Sequence, residues 1–148
     1  MTLERTTYLE PSALLSWLFH EPDLAEVVRQ SVADASRVIT SSLTLAECRR
    51  AIHRAECQGR LTTVESLALQ QYLAQLASSW IRFSLDEAVL ERASGALSGA
   101  PIPTLGAIHV ATALEAARQF GAIELLSVDR RVREVAHHAG LPVTPATL

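Results

Sequence analysis

Glu10, Glu47 and Asp129 are the residues whose type and placement could carry chemistry. Glu10 follows the extended run Thr6-Thr-Tyr-Leu9. Glu47 lies in the first turns of a helix that follows the β-branched run Arg37-Val-Ile-Thr40, and Asp129 closes Ile123-Glu-Leu-Leu-Ser-Val128. Three carboxylates brought to one edge of a sheet repel, and they are costly to keep ionised unless a divalent cation or arginines compensate them. Oxygen-only ligands select hard ions, so Mg²⁺ or Mn²⁺ is the expected cation. Such a site suits phosphodiester hydrolysis, because the ion generates hydroxide and neutralises developing charge.

Each carboxylate also has a plainer structural use. Glu47 could be the acid of a capping box, Thr44-Leu-Ala-Glu47. Asp129 is an ordinary N-cap type just ahead of Arg130. Glu10 has less structural excuse, since glutamate is not a favoured N-cap. Arg49, Arg50 and Arg54 after Glu47, and Arg130, Arg131 and Arg133 after Asp129, are candidates for phosphate contact, with Arg49 and Arg130 foremost. A solvated face paired with neighbouring acids is their alternative use. His109 reads as a packed or hydrogen-bonded helix residue rather than a base. His137 and His138 read as surface residues, diverging by about 100° around their helix.

The elements that must position these groups alternate between strand and helix. Thr6–Leu9 is the first strand, stopped by the restriction Pro11 places on Glu10, and Pro11 opens a helix through Phe19. Glu21-Pro-Asp23 interrupts before a second helix through Val32. Arg37–Thr40 is the second strand, handing at Ser41-Ser42 into a long helix that stops at Gly59. A helix from Thr62 or Thr63 to Ser78 precedes a third strand, Trp80–Leu85, and Asp86 caps a helix ending near Gly99. After the loop 100–103, Thr104 is expected to cap a helix stopped by Gly121. Ile123–Val128 is the fourth strand, Arg130–His138 the last helix, and 140–145 supplies at most a short edge strand because of its prolines. This alternation argues one α/β domain with a parallel sheet covered on both faces, whose function gathers at the carboxyl ends of the strands.

Composition narrows the classes further. The 148 residues, 49% of them hydrophobic, suffice for one domain with a real core. A net charge of -3 excludes gross polybasic attraction to nucleic acid or membrane, so such binding needs a local patch. All 13 basic residues are arginine, which removes P-loop and Schiff-base lysine chemistry. No apolar run is long enough to span a bilayer and no signal core follows Met1 to Thr7, so the chain is expected to be cytoplasmic. Cys48 and Cys57 fall on opposite faces of one helix, about 13.5 Å apart along its axis, and cannot bridge each other. Leu67, Leu69, Leu73 and Leu76 are a candidate apolar lining for dimerisation or a partner helix, with core packing the alternative.

Gly106 is the anomaly of the pattern. It falls in the first turn of the Thr104 helix, where glycine costs up to about 1 kcal/mol relative to alanine, and no capping or packing rule asks for it. Tyr8-Leu-Glu-Pro-Ser-Ala-Leu-Leu15, Thr40-Ser-Ser-Leu-Thr-Leu-Ala-Glu47-Cys-Arg-Arg-Ala51, Thr104-Leu-Gly-Ala-Ile-His-Val-Ala-Thr-Ala113 and Leu126-Ser-Val-Asp129-Arg-Arg together resemble the PIN domain, in its VapC-type toxin branch. The resemblance spans nearly the whole chain.

It implies a three-layer α/β/α sandwich with a parallel sheet of four to five strands. It also implies a metal-dependent endoribonuclease of a toxin–antitoxin pair, usually dimeric, with RNA and a small antitoxin protein as partners. Carried over by residue, the first acid falls on Glu10 with Ser12 beside it, the second on Glu47, the third on Gly106 and the fourth on Asp129. Glu10 stands where aspartate is usual, one methylene longer, and at Gly106 the usual aspartate has no counterpart. Two expectations follow: a working or weakened ribonuclease in which Glu10, Glu47 and Asp129 hold Mg²⁺ or Mn²⁺, or a catalytically silent fold that binds antitoxin or RNA. Because active toxins select against themselves on cloning, Gly106 also reads as an inactivating change. A receiver-like signalling domain shares the strand pattern, and the missing lysine argues against it.

Overall fold

The computed structural model describes residues 3–95, 97 and 101–148. Five parallel strands form one sheet in the order β3-β2-β1-β4-β5: β1 (Thr6–Leu9), β2 (Arg37–Ser41), β3 (Ile81–Phe83), β4 (Glu124–Leu126) and β5 (Val143–Thr144). Successive residues of a strand face opposite sides of a sheet, and the core divides accordingly. Leu9, Val38 and Leu126 pack on one side with the helices α1 (Pro11–Leu18), α2 (Ala25–Asp34), α3 (Ser42–Cys57) and α4 (Thr63–Ala77). Their neighbours Tyr8, Ile39 and Leu125 pack on the other side with α6 (Thr104–Phe120) and α7 (Arg130–His138). α5 (Glu87–Ser94) lies against α6, where Val89 meets Ile108 and Ala111. The result is the expected three-layer α/β/α sandwich.

The chain moves from β1 to β2 on one side and later returns to place β4 on the other side of β1. That reversal opens a crevice at the carboxyl ends of β1 and β4, the usual ligand position in such sheets. The residues leaving those ends are Glu10 and the turn 127–129.

Several boundaries differ from expectation. β3 covers only Ile81–Phe83, because its partner β2 ends at the Ser41↔Phe83 pair and Ser84 and Leu85 have nothing left to pair with. β4 is likewise shortened to Glu124–Leu126, matching the reach of β1. α5 closes at Ser94; Gly99, the expected stop, and Ala100, the first residue of the expected loop, lie outside the described residues. Thr104 is the first helical residue of α6 rather than its cap. Pro103, in extended geometry, occupies the cap position without a side-chain bond.

Leu73 of the candidate apolar lining is fully buried, and Leu69 and Leu76 pack against the core, while Leu67 remains exposed. Cys48 is buried and Cys57 exposed, both as free thiols.

Candidate functional site

The three carboxylates open onto one cleft. Glu10, Glu47 and Asp129 line a single cleft of about 160 Å³, together with Gly106, His109 and Arg131. A larger groove of about 630 Å³ between α2, α4 and the amino end of β2 contains no carboxylate, so size does not choose the site.

Glu10 is the N-cap of α1, a role its residue type did not suggest: its Oε2 accepts the Ser12 backbone N–H at 3.1 Å. The same oxygen accepts hydrogen bonds from the Ser12 hydroxyl and, at 2.8 Å, from the Ser127 hydroxyl. Pro11 restricts Glu10 to extended geometry, and the bonds from Ser12 and Ser127 hold its side chain back over the helix start. Burial pushes the Glu10 carboxyl above its ordinary range, and the Ser12 bond is the largest opposing influence. The Ser12 hydroxyl also accepts the backbone N–H of Val128 at 3.0 Å and of Asp129 at 3.1 Å, so it joins the start of α1 to the β4–α7 turn.

Asp129 caps α7, its Oδ1 accepting from the backbone of Arg131 at 2.9 Å and of Val132 at 3.2 Å. Glu47 forms no capping box. Ser41 caps α3 instead, accepting from Leu43 N at 3.0 Å, and Thr44 is buried one turn in. Glu47 turns to His109, whose Nε2 lies 2.7 Å from Glu47 Oε1, while Nδ1 of the same ring lies 2.9 Å from the Tyr8 hydroxyl.

Burial, and after it the charge of Glu10, raises the Tyr8 phenol well above its ordinary value, so Tyr8 remains a donor. Tyr8 is thereby joined through its hydroxyl to His109 Nδ1, and the same ring through Nε2 to Glu47 Oε1. His109 is thus the hydrogen-bonded helix residue expected, but its partners join three elements, and sequence gave no sign of them. The available signal was its position: three residues after Gly106, it shares a helix face with that residue. Ser127, the second anchor of Glu10, was also missed; its only mark in sequence is its place directly after β4.

The arginines separate. Arg131 lines the cleft. Arg130 and Arg49 are exposed and do not, and the Arg49 carbonyl accepts from Gln70 at 3.2 Å. Arg133 is committed elsewhere, donating to the carbonyls of Ser127, at 2.7 Å, and Pro145. His137 and His138 are exposed on α7.

The donor chemistry of the cleft suits a hard cation. Each carboxylate is anchored through one oxygen, and its second oxygen (Glu10 Oε1, Glu47 Oε2 and Asp129 Oδ2) makes no protein hydrogen bond among the described residues. The count and spacing are less complete. Among the described residues no three His, Cys, Asp or Glu side chains stand close enough to hold a metal ion, and Gly106 adds no oxygen. A cation would therefore have to draw the carboxylates together. Space for a side chain at 106 is tight but present: a Cβ there would lie 3.3 Å from Val132 Cγ2 and 3.4 Å from Ile102 Cδ1.

Fold and site together define the class. The PIN domain family model matches residues 7–138, and the chain belongs to that family. No curated protein matched in sequence. Among solved structures, the chain is similar to VapC20 of Mycobacterium tuberculosis, described as a toxin that cleaves the sarcin–ricin loop, with TM-score 0.63, 14% identity, and 85% of this chain and 92% of that one covered. It is also similar to VapBC2 of Rickettsia felis bound to a fragment of promoter DNA, with TM-score 0.64, 13% identity, and coverage of 93% and 96%. A third match is FitAcB of Neisseria gonorrhoeae, with TM-score 0.64, 18% identity, and coverage of 93% and 95%.

Proposed function

We propose that this PIN-domain chain is the toxin-like member of a toxin–antitoxin pair and acts in the cytoplasm as a weakened metal-dependent endoribonuclease. We further propose that it works as a homodimer restrained by a small antitoxin protein. The observation that carries the catalytic reading is the set of free carboxylate oxygens left on one cleft by Glu10, Glu47 and Asp129. These three residues would hold Mg²⁺ or Mn²⁺, which supplies neutralisation of the charge that develops on an RNA phosphodiester during hydrolysis. Arg131 draws phosphate into the cleft, and Ser12, Arg49 and Arg130 are the substrate contacts proposed from sequence. Tyr8 and His109 keep one oxygen of Glu47 fixed and the other free. The similarity in fold to VapC20, VapBC2 and FitAcB supports the toxin–antitoxin assignment.

A second reading, a silent fold that binds antitoxin or RNA without cutting, is favoured by a different observation: position 106 supplies no acid, and among the described residues no three acids stand close enough together to hold a metal ion. RNA cleavage by the unmodified chain and by Gly106→Asp, each with Mg²⁺, Mn²⁺ or EDTA, separates the two. Metal-dependent cleavage by the unmodified chain supports the nuclease. Cleavage by Gly106→Asp alone assigns the natural chain to the second reading, and absence of both cutting and metal binding in the two proteins removes the nuclease account.

A further inference from the structure

A groove of about 420 Å³ runs between α1 and α3 and contains Ser12, Phe19, Ala51, Arg54, Gln58 and Arg60 among its lining residues. It begins where the acidic cleft ends. Ser12, at its inner end, is hydrogen-bonded to Glu10 in the cleft. On α3, Glu47, Ala51, Arg54 and Gln58 follow one another at intervals of three or four, so a single helix face leads from the cleft to the arginines. From Glu47 to Arg54 that face extends by about 10 Å along the axis. On α1, Ser12, Leu15, Ser16 and Phe19 form the opposite wall with the same periodicity.

The outer end of this groove is positive and partly aromatic. Arg54 and Arg60 are exposed, and neither meets a carboxylate within salt-bridge range among the described residues. The Arg60 guanidinium lies over the Phe19 ring, 5.8 Å from its centroid. The helix dipole accounts for one basic residue in the last turn of α3, which is Arg54, but not for Arg60 beyond the helix stop. Glu21 is the one acid in the lining. Two guanidiniums without a carboxylate partner, one of them lying over the half-buried Phe19 ring, lead away from an acidic cleft and match a single nucleic-acid strand, whose phosphates need cations.

Resting on the ribonuclease reading, we propose that the α1–α3 groove carries the RNA strand beside the scissile linkage, with Arg54 and Arg60 contacting its phosphates. The cleft alone, ringed by carboxylates, repels RNA; the groove supplies the attraction that holds a strand across it. Arg54 and Arg60 are therefore affinity-determining residues that lie outside the acidic site.

The test is binding of a fluorescein-labelled single-stranded RNA oligonucleotide, followed by anisotropy in EDTA so that no strand is cut, over a series of salt concentrations. The double variant Arg54→Gln/Arg60→Gln is compared with Arg29→Gln/Arg118→Gln, which removes the same net charge elsewhere; circular dichroism confirms that both fold. The groove variant is expected to bind RNA about 10-fold more weakly or worse and to lose about 0.7 of salt slope for each phosphate contact removed, while the control keeps the parent slope. Equal affinity and slope in the parent and the groove variant would overturn the assignment and leave the ribonuclease reading intact. If the unmodified chain bound no RNA, the ribonuclease reading itself would fall and take this one with it. Binding of a poly-glutamate peptide to the groove in place of RNA would assign the surface to an acidic polypeptide, and the RNA proposal would be wrong.

Discussion

His109 Nε2 lies 2.7 Å from Glu47 Oε1, a bond across 62 positions of sequence that ties α6 to α3 over the end of the sheet. Behind it the Tyr8 hydroxyl, from β1, holds the other ring nitrogen at 2.9 Å. Three elements on both sides of the sheet are thus coupled through one imidazole. Glu47 is positioned by that contact, not by the start of its own helix.

Replacing His109 should therefore cost more than a surface histidine would. His109→Ala removes a fully buried ring and leaves the Tyr8 hydroxyl without its hydrogen-bond partner, which predicts a loss of about 2–4 kcal/mol. Tyr8→Phe removes only the hydroxyl bond and should cost about 1–2 kcal/mol. Urea unfolding of the two variants measures both, and a His109→Ala protein as stable as the parent would mean that the coupled chain is not formed.

Gly106→Asp places a fourth carboxylate on the cleft at the third position of α6, where an acid also favours the helix dipole. Its Cβ requires Val132 or Ile102 to shift by a few tenths of an ångström, so folding should survive. In EDTA the added charge faces Glu10, Glu47 and Asp129, and the melting temperature should fall below that of the parent. At a Mn²⁺ concentration about 100-fold above the dissociation constant, metal binding should raise it by roughly 5–10 °C. Thermal melts with and without Mn²⁺ decide the matter; identical responses in variant and parent would show that position 106 does not reach a common metal site.

The strand–helix alternation and the helix starts after Glu10 and at Asp129 were legible because strong local signals mark them. Pro11 fixes the junction of β1 and α1, and Asp129 caps α7 where expected. The lengths of β3 and β4 were not legible, since apolar alternation marks what is buried and not how far a partner strand reaches. The placement of Glu47 near the strand ends was legible but its partner was not, because no spacing rule connects it to a histidine on another helix. Glu10 was judged unsuited to capping on residue preference, yet the proline after it sets the backbone so that its carboxylate reaches Ser12.

Glu10 predicts a pH dependence of stability. Burial raises its pKa in the folded chain above the value in the unfolded one, so the folded state binds that proton more tightly. Its contribution to stability is fully present below the unfolded pKa, about 4.3, and is lost as pH rises through the raised folded value. Glu10→Gln keeps an oxygen to accept from Ser12 and Ser127 and removes the titration. In EDTA the variant should gain stability over the parent as pH rises from about 4 towards 8. Melting temperatures across that range test it; a constant difference would place the Glu10 pKa at its exposed value.

Ser12→Ala tests whether the acidic residues share one scaffold. The hydroxyl donates to Glu10 and accepts from the backbone of Val128 and Asp129, while Asp129 N has a second partner in Ser127 Oγ at 3.1 Å. Val128 N–H has no other acceptor among the described residues, so its loss should cost about 1–3 kcal/mol, concentrated at the β4–α7 turn. Amide hydrogen exchange should then quicken at Val128 by about 10-fold or more, with α5 unchanged, since α5 packs on α6 through Val89, Ile108 and Ala111, outside the cluster that Val128 joins. Uniform acceleration throughout the chain would instead mean that Ser12 supports global stability only, and that Glu10 and Asp129 are held independently.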